Sequence, residues 1–228
     1  MPRDSNLNIY FNDRDDAARQ LIETLPIEML EESDTVIIGV SEGGVYFADR
    51  IARKLHCEMD ILLTEPILAP NNHELTIAMV SETEEVVMHK SLIESFGIHE
   101  DYVYGEAQRK YDEEVLSYVY KYRKGNDLVD LAGKYVVLAD ECVETGLTMM
   151  IALKSVIARG AKDIYIATPI LDKEVYKNLL RVSDGVFCPH KIQDYISIEY
   201  YYKNFDEMSY DEIMEIMESN ESKKLQAK

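Results

Sequence analysis

One nine-residue stretch gathers the groups best suited to chemistry on a small anionic ligand: Asp140-Glu141-Cys142-Val143-Glu144-Thr145-Gly146-Leu147-Thr148. It follows a buried-looking apolar run, Tyr135–Ala139 (YVVLA), and leads into a helical pattern from Gly146 to Arg159 that Gly160 closes. A helix N-terminus has unpaired N–H groups and a partial positive charge, and both suit phosphate. Gly146 lets the backbone approach closely, so Thr145, Gly146, Leu147 and Thr148 form the phosphate-holding turn. Thr145 and Thr148 add hydroxyl donors. Asp140 and Glu141 can accept hydrogen bonds from vicinal hydroxyls such as those of a ribose. Phosphate donors beside diol acceptors describe a ribose 5-phosphate site. The plainer alternative is an acidic turn that caps an ordinary helix.

These groups need elements to position them. Arg14 to Leu25 reads as a helix with Ala17, Ala18, Leu21, Ile22 and Leu25 on one face, capped by Asp13 or Asp15. Thr35–Val40 (TVIIGV) is an apolar run of strand length that enters Ser41-Glu42-Gly43-Gly44 and a helix from Val45 to Leu55. Met59–Leu63 reads as the next strand. Between Thr64 and His89, Pro66, Pro70 and Asn71-Asn72 mark loop, and Thr76–Val80 and Glu85–Met88 read as a strand pair. Glu100 to Lys124 carries one long helical pattern that Gly125-Asn126 ends. Asp163–Thr168 is a strand, Asp172–Arg181 a helix and Gly185–Cys188 a short strand. After Met208 the chain is acidic and helical in pattern, with fraying expected from Asn220 to Lys228. Apolar strands alternating with helices predict an α/β fold with a doubly wound, mostly parallel sheet. In such sheets ligands sit beyond the carboxyl ends of the strands. Ser41–Gly44 and Asp140–Thr148 both lie at that edge.

A chain of 228 residues, 46% hydrophobic and 29% charged, suits one globular domain, read here as 1–215 with an acidic and polar tail at 216–228. The formal net charge of −19 repels nucleic acid and anionic lipid, so neither is expected as a partner. Cys57, Cys142 and Cys188 are isolated, which argues against a disulfide framework and a cysteine-based zinc site. Cys142 sits near a helix N-terminus, but flanking carboxylates oppose thiolate formation, and it is read as a packing residue. His73, His89 and His99 show no metal-ligand spacing and are placed opposite the site; no metal site is assigned. The polar start Met1–Asn8 is unlike a signal peptide, and no apolar run approaches the ~18–20 residues needed to span a bilayer. A cytoplasmic protein is expected.

The segment from Val136 to Thr148 resembles the binding motif for 5-phosphoribosyl 1-pyrophosphate (PRPP) of the type I phosphoribosyltransferases: a hydrophobic strand, two acidic residues, two variable residues, one more residue, then Thr-Gly-x-Thr. The resemblance runs from about Phe11 to about Ile213. It includes Phe11-Asn12-Asp13-Arg14-Asp15-Asp16-Ala17-Ala18-Arg19-Gln20-Leu21, Ala158-Arg159-Gly160-Ala161 and Tyr201-Tyr202-Lys203-Asn204-Phe205. It implies a type I fold with a small hood and a flexible loop, Mg²⁺ entering with PRPP, and a homodimer. It also implies that Ser41-Glu42-Gly43-Gly44 is the pyrophosphate loop. That loop usually reads Pro-Arg-Gly-Gly, so Glu42 stands where the family has Arg. Thr64-Glu65 stands where the family commonly has Arg-Lys. Two unit charges ~4 Å apart interact by ~4 kcal/mol at an effective dielectric of ~20, so these changes turn attraction for pyrophosphate into repulsion. Glu144 occupies the place where the purine-salvage relatives carry an acid thought to act on the base, and is the candidate catalytic residue. Tyr195, Tyr200, Tyr201 and Tyr202 fall where relatives build the hood, either as base-stacking faces or as core and dimer contacts.

Two functions stay open at this point. One is transfer of a phosphoribosyl group to or from a nitrogenous base. The other is a catalytically silent relative that senses a nucleotide or sugar phosphate or serves in assembly.

Overall fold

The computed structural model describes residues 9–226. The polar start 1–8, read above as unlike a signal peptide, lies outside them. Asp13 caps α1 (Arg14–Ile22) by accepting from the Asp16 N–H, and a short α2 (Ile27–Glu31) follows. The apolar run forms β1 (Thr35–Gly39), buried at every residue. Ser41 then caps α3 (Glu42–Leu55), which returns the chain to β2 (Glu58–Ile61).

Residues 64–88 form three antiparallel strands, β3 (Thr64–Ala69), β4 (Asn72–Ser81) and β5 (Val86–Met88), in the order β3-β4-β5. The strand pair expected over Thr76–Val80 and Glu85–Met88 is observed as β4 with β5, whereas β3 and the early start of β4 at Asn72 replace the expected loop. Pro66 suggests a loop, but it lies in an edge strand, where a missing N–H is tolerated. This small sheet is an arm that stands off the main one.

A short α4 (Lys90–Ser95) precedes the long helical region. That region is expected as one helix but is α5 (Glu100–Lys110), a single π turn over Tyr111–Val115, and α6 (Leu116–Arg123). Lys124 at φ 56° and Gly125 at φ 83° end it in the left-handed region.

The remaining elements are β6 (Tyr135–Ala139), α7 (Leu147–Ala158), β7 (Asp163–Ala167), β8 (Ile170–Asp172), α8 (Lys173–Leu179), β9 (Gly185–Phe187), β10 (His190–Ile192) and α9 (Tyr210–Gln226). The boundary expected at 215 falls inside α9, where Ile213, Met217 and Asn220 are buried. Asn220 also donates to Asp49 of α3 at 3.3 Å.

The central sheet has the order β2-β1-β6-β7-β9 and every pairing in it is parallel. Side chains alternate across it. Ile37 and Val137 face α1, α3 and α9, whereas Val36, Ile38, Val136 and Leu138 face α7. The expected α/β class with a mainly parallel, doubly covered sheet is therefore observed. Gly39 pairs with Ala139 and with Ile61, so β1, β2 and β6 end level and their loops leave at one edge. Among the described residues no helix is long and apolar enough to cross a membrane.

Candidate functional site

Gly146 is the N-cap of α7 at φ 79°, ψ 0°, a left-handed geometry in which a side chain is strained. A Cβ there would also come within 2.9 Å of Val175. The loop before it is pinned by the Val143 N–H, which donates to Ile170 O at 3.2 Å. Glu144 and Thr145 are exposed and Thr148 is half-buried. The Thr145 hydroxyl accepts from the Leu147 N–H at 3.4 Å.

Glu144, Thr145, Leu147 and Thr148 share a cavity of about 660 Å³ with Ser41 and with Thr64, Glu74 and His89 of the arm. The two loops singled out in the sequence thus meet in one cavity, and the arm roofs it. His89 is corrected by this geometry: it does not lie opposite the site but lines it. Its position depends on how β3, β4 and β5 fold back, which no local pattern reveals.

Asp140 is 7% exposed and lies between the two loops, and neither it nor Glu141 is among the residues that line the cavity. Its Oδ1 accepts from the Ser41 hydroxyl and from the Glu141 N–H at 2.8 Å. Ser41 in turn accepts from the Gly44 N–H at 2.8 Å, so one hydroxyl links the start of α3 to the end of β6. Burial pushes the Asp140 carboxyl up to about 7, against the pull of the Ser41 hydrogen bond.

Glu141 is the more accessible of the two carboxylates. Its Oε2 accepts from Arg14 Nη2 at 2.9 Å, and the guanidinium lies 4.6 Å from the Phe205 ring centroid. The Glu141 carboxylate rests on Gly43, where a Cβ would fall 2.1 Å from it. Sequence reasoning does not single out Arg14, because 127 residues separate it from Glu141.

The acidic replacements lie together in a second, adjoining cavity of about 320 Å³ lined by Ser41, Glu42, Thr64, Glu65, Tyr118 and Tyr122. Tyr122 donates to Glu42, and Lys121 Nζ stands 3.8 Å from the same carboxylate. Tyr118 donates to Glu65 at 3.0 Å. Burial, and then a hydrogen bond shared with Glu114, push the Glu65 carboxyl up to about 7. Glu114 is held below its ordinary value by that same bond and by Lys110. The two carboxyls are thus pushed in opposite directions, Glu65 toward its protonated form and Glu114 toward its ionised one.

Cys142 packs as the sequence suggests, its thiol pushed up to about 12 by burial and the nearby Asp140 charge. Tyr201 and Tyr202 are buried at 6% and 3% exposure and belong to the core, whereas Tyr200 is exposed. Among the described residues no three His, Cys, Asp or Glu side chains converge where they could hold a metal ion.

Residues 7–203 match the profile of the family described as "Phosphoribosyl transferase domain". Proteins from two strains of Mycobacterium tuberculosis, provisionally named as phosphoribosyl transferases, are each 28% identical over 209 residues, or 91% of this chain. The chain spans about half the length of these relatives, 46%. Among solved structures, TT1426 from Thermus thermophilus is similar at a TM-score of 0.76 and 29% identity, over 92% of this chain and 98% of that one.

Proposed function

The chain belongs to the phosphoribosyl transferase domain family, and from that premise we propose that it binds a ribose 5-phosphate moiety, carried by PRPP or by a nucleotide, at the edge where β1 and β6 end. The observation that carries this reading is the common cavity of about 660 Å³ shared by the α7 start and the Ser41 loop. Its size suits a small ligand. Thr145, Gly146, Leu147 and Thr148 take the 5-phosphate through backbone N–H groups and hydroxyls. Glu141, beside the cavity, accepts from the ribose hydroxyls, and Asp140 ties the Glu141 N–H to the Ser41 hydroxyl. Glu144, exposed at the cavity wall, is the group available as a general base toward a nitrogenous acceptor.

With PRPP as ligand, the transferred group would be phosphoribosyl and the leaving group pyrophosphate. Mg²⁺ would enter with the ligand, held mainly by phosphate oxygens and water, since it needs few protein ligands. A dimer in the cytoplasm fits the family, and sedimentation tests the dimer.

A second reading is favoured by the occupied acids. Glu42, tied to Tyr122 and Lys121, and Glu65, tied to Tyr118 and Glu114, put carboxyl groups where a leaving pyrophosphate would need cations. A nucleotide or sugar-phosphate sensor keeps the phosphate and ribose contacts without turnover.

Calorimetric titration with Mg²⁺-PRPP, AMP and ribose 5-phosphate separates the two. PRPP bound more tightly than AMP, and lost in Thr148→Val, supports transfer and calls for a screen of bases. AMP or ribose 5-phosphate bound with PRPP weaker supports sensing. Binding of none of them overturns the site.

A further inference from the structure

We infer that Arg14 and Gly43 are positioning residues that set the Glu141 carboxylate for recognition of the sugar diol, and so give the site its preference for ribose over 2-deoxyribose. The inference rests on the reading of this cavity as a ribose 5-phosphate site and assigns a role to two residues outside its phosphate turn.

A glutamate side chain has several rotatable bonds, and an exposed one samples many positions. A carboxylate that must accept from a particular hydroxyl needs that freedom removed before the ligand arrives. One contact restrains it here, and one missing side chain leaves it the space it occupies. From one side, Arg14 Nη2 holds Glu141 Oε2 at 2.9 Å. From below, the carboxylate lies in the space that a Cβ on residue 43 would fill. Arg14 on Oε2 draws the carboxylate to one side, the absent Cβ of Gly43 leaves room for it there, and the Glu141 side chain remains 23% exposed.

The surroundings of Arg14 fit a positioning role better than a purely structural one. Its side chain is only 12% exposed, and its Nε is buried without a hydrogen-bond partner. A buried guanidinium with an unmet donor costs stability, and an apolar residue would fill the space more favourably. The guanidinium is also stacked on Phe205, which keeps its fork in one orientation. Phe205 belongs to a segment anchored near the start of the chain, where the Tyr10 and Phe11 N–H groups donate to Tyr201 O at 2.9 and 3.1 Å. Two segments far apart in sequence thus converge to hold one carboxylate.

Gly43 acquires a reason that the family resemblance does not supply. Its φ is not in the left-handed region, so no backbone conformation demands glycine there. What it provides is room. The atoms a Cβ would meet are the far end of a flexible side chain, so Gly43→Ala should leave the fold intact and move the Glu141 carboxylate aside.

The test is calorimetry of the full chain with ribose 5-phosphate and with 2-deoxyribose 5-phosphate, alongside thermal unfolding of each variant. Wild type should prefer the ribose compound by about tenfold or more, the usual effect of one hydrogen bond to a charged group. Arg14→Met and Gly43→Ala should each reduce that ratio to within about twofold of one while leaving affinity for the deoxy compound nearly unchanged, and Arg14→Lys should restore part of the preference. A ratio that stays at its wild-type value in Gly43→Ala overturns the inference, as does a wild-type protein that binds both sugars equally. A merely structural role would lower Tm and weaken both ligands together. If wild type binds neither sugar phosphate, the ribose 5-phosphate reading itself fails, an outcome distinct from an unchanged ratio.

Discussion

Ser155, in the last turn of α7, donates its hydroxyl to Ser81 at the end of β4 at 2.8 Å, and both residues are fully buried. Thr83 donates to Ser155 at 3.0 Å, and Lys154 reaches Val86 O at 3.0 Å and the Glu85 carboxylate at 2.9 Å. The helix whose N-terminus lines the cavity is thus fastened toward its C-terminal end to the arm beside that cavity. Ser155→Ala should destabilise the fold by ~1 kcal/mol, the usual net worth of such hydrogen bonds, and Ser155→Val by more, because the extra methyls must enter a packed layer. Urea denaturation of the two variants measures this.

Gly146→Ala tests the phosphate turn. At φ 79° an alanine costs ~1–2 kcal/mol, and its Cβ presses on Val175 as well. The turn should relax away from the left-handed geometry and carry the α7 N–H groups with it. We expect a Tm several degrees lower and at least tenfold weaker binding of ribose 5-phosphate by calorimetry. A variant that loses stability but binds normally would show that the phosphate lies elsewhere.

Much of this site is legible in the sequence because its signals are local. β1 and β6 are buried on both faces, so Thr35–Gly39 and Tyr135–Ala139 read as continuous apolar runs, and the glycine and carboxylates follow directly. The arm is less visible. Pro66 and Asn71-Asn72 carry loop signals, yet the first sits in an edge strand, and Asn72 opens β4, its side chain accepting from the Glu74 N–H. Arg14 and His89 are invisible for a different reason. Each reaches the site only through tertiary folding, and nothing in the residues around them indicates where they arrive.

Glu42 gives the proposed pyrophosphate side a charge that can be tested. Its side chain is 57% exposed, so water screens it, and a pyrophosphate charge ~4 Å away would be repelled by ~1 kcal/mol rather than the ~4 kcal/mol of a less hydrated pair. Glu42→Gln should therefore tighten PRPP about fivefold and leave ribose 5-phosphate unchanged. Equal changes for both ligands would mean that the pyrophosphate does not approach the Ser41–Gly44 loop.

The Glu65–Glu114 pair predicts a pH dependence. A carboxyl whose folded value is raised keeps its proton in the native state while the unfolded chain releases it, so stability falls as pH rises between the two values. For Glu65 that window runs from about 4.5 to about 7. Asp140, also raised to about 7, adds a slope of the same sign. Glu65→Gln should shrink the loss of Tm across this window without abolishing it, as thermal unfolding at half-unit steps of pH would show. An unchanged slope would mean that Glu65 ionises at its ordinary value.

The π turn at Tyr111–Val115 has a geometric consequence for everything after it. Such a turn slips one extra residue into a helix, and one residue corresponds to about 100° of rotation about the axis. Through that offset Tyr118 and Tyr122 meet the carboxylates of Glu65 and Glu42, and Arg123 pairs with Glu82 and stands 3.7 Å from Asp60. The five residues act as a phase shifter. They let α5 lay one side on the arm and let α6 bring a different side to both the arm, at Glu65 and Glu82, and the mouth of the sheet, at Glu42, so the spacing of its tyrosines is written against a clock that is reset once.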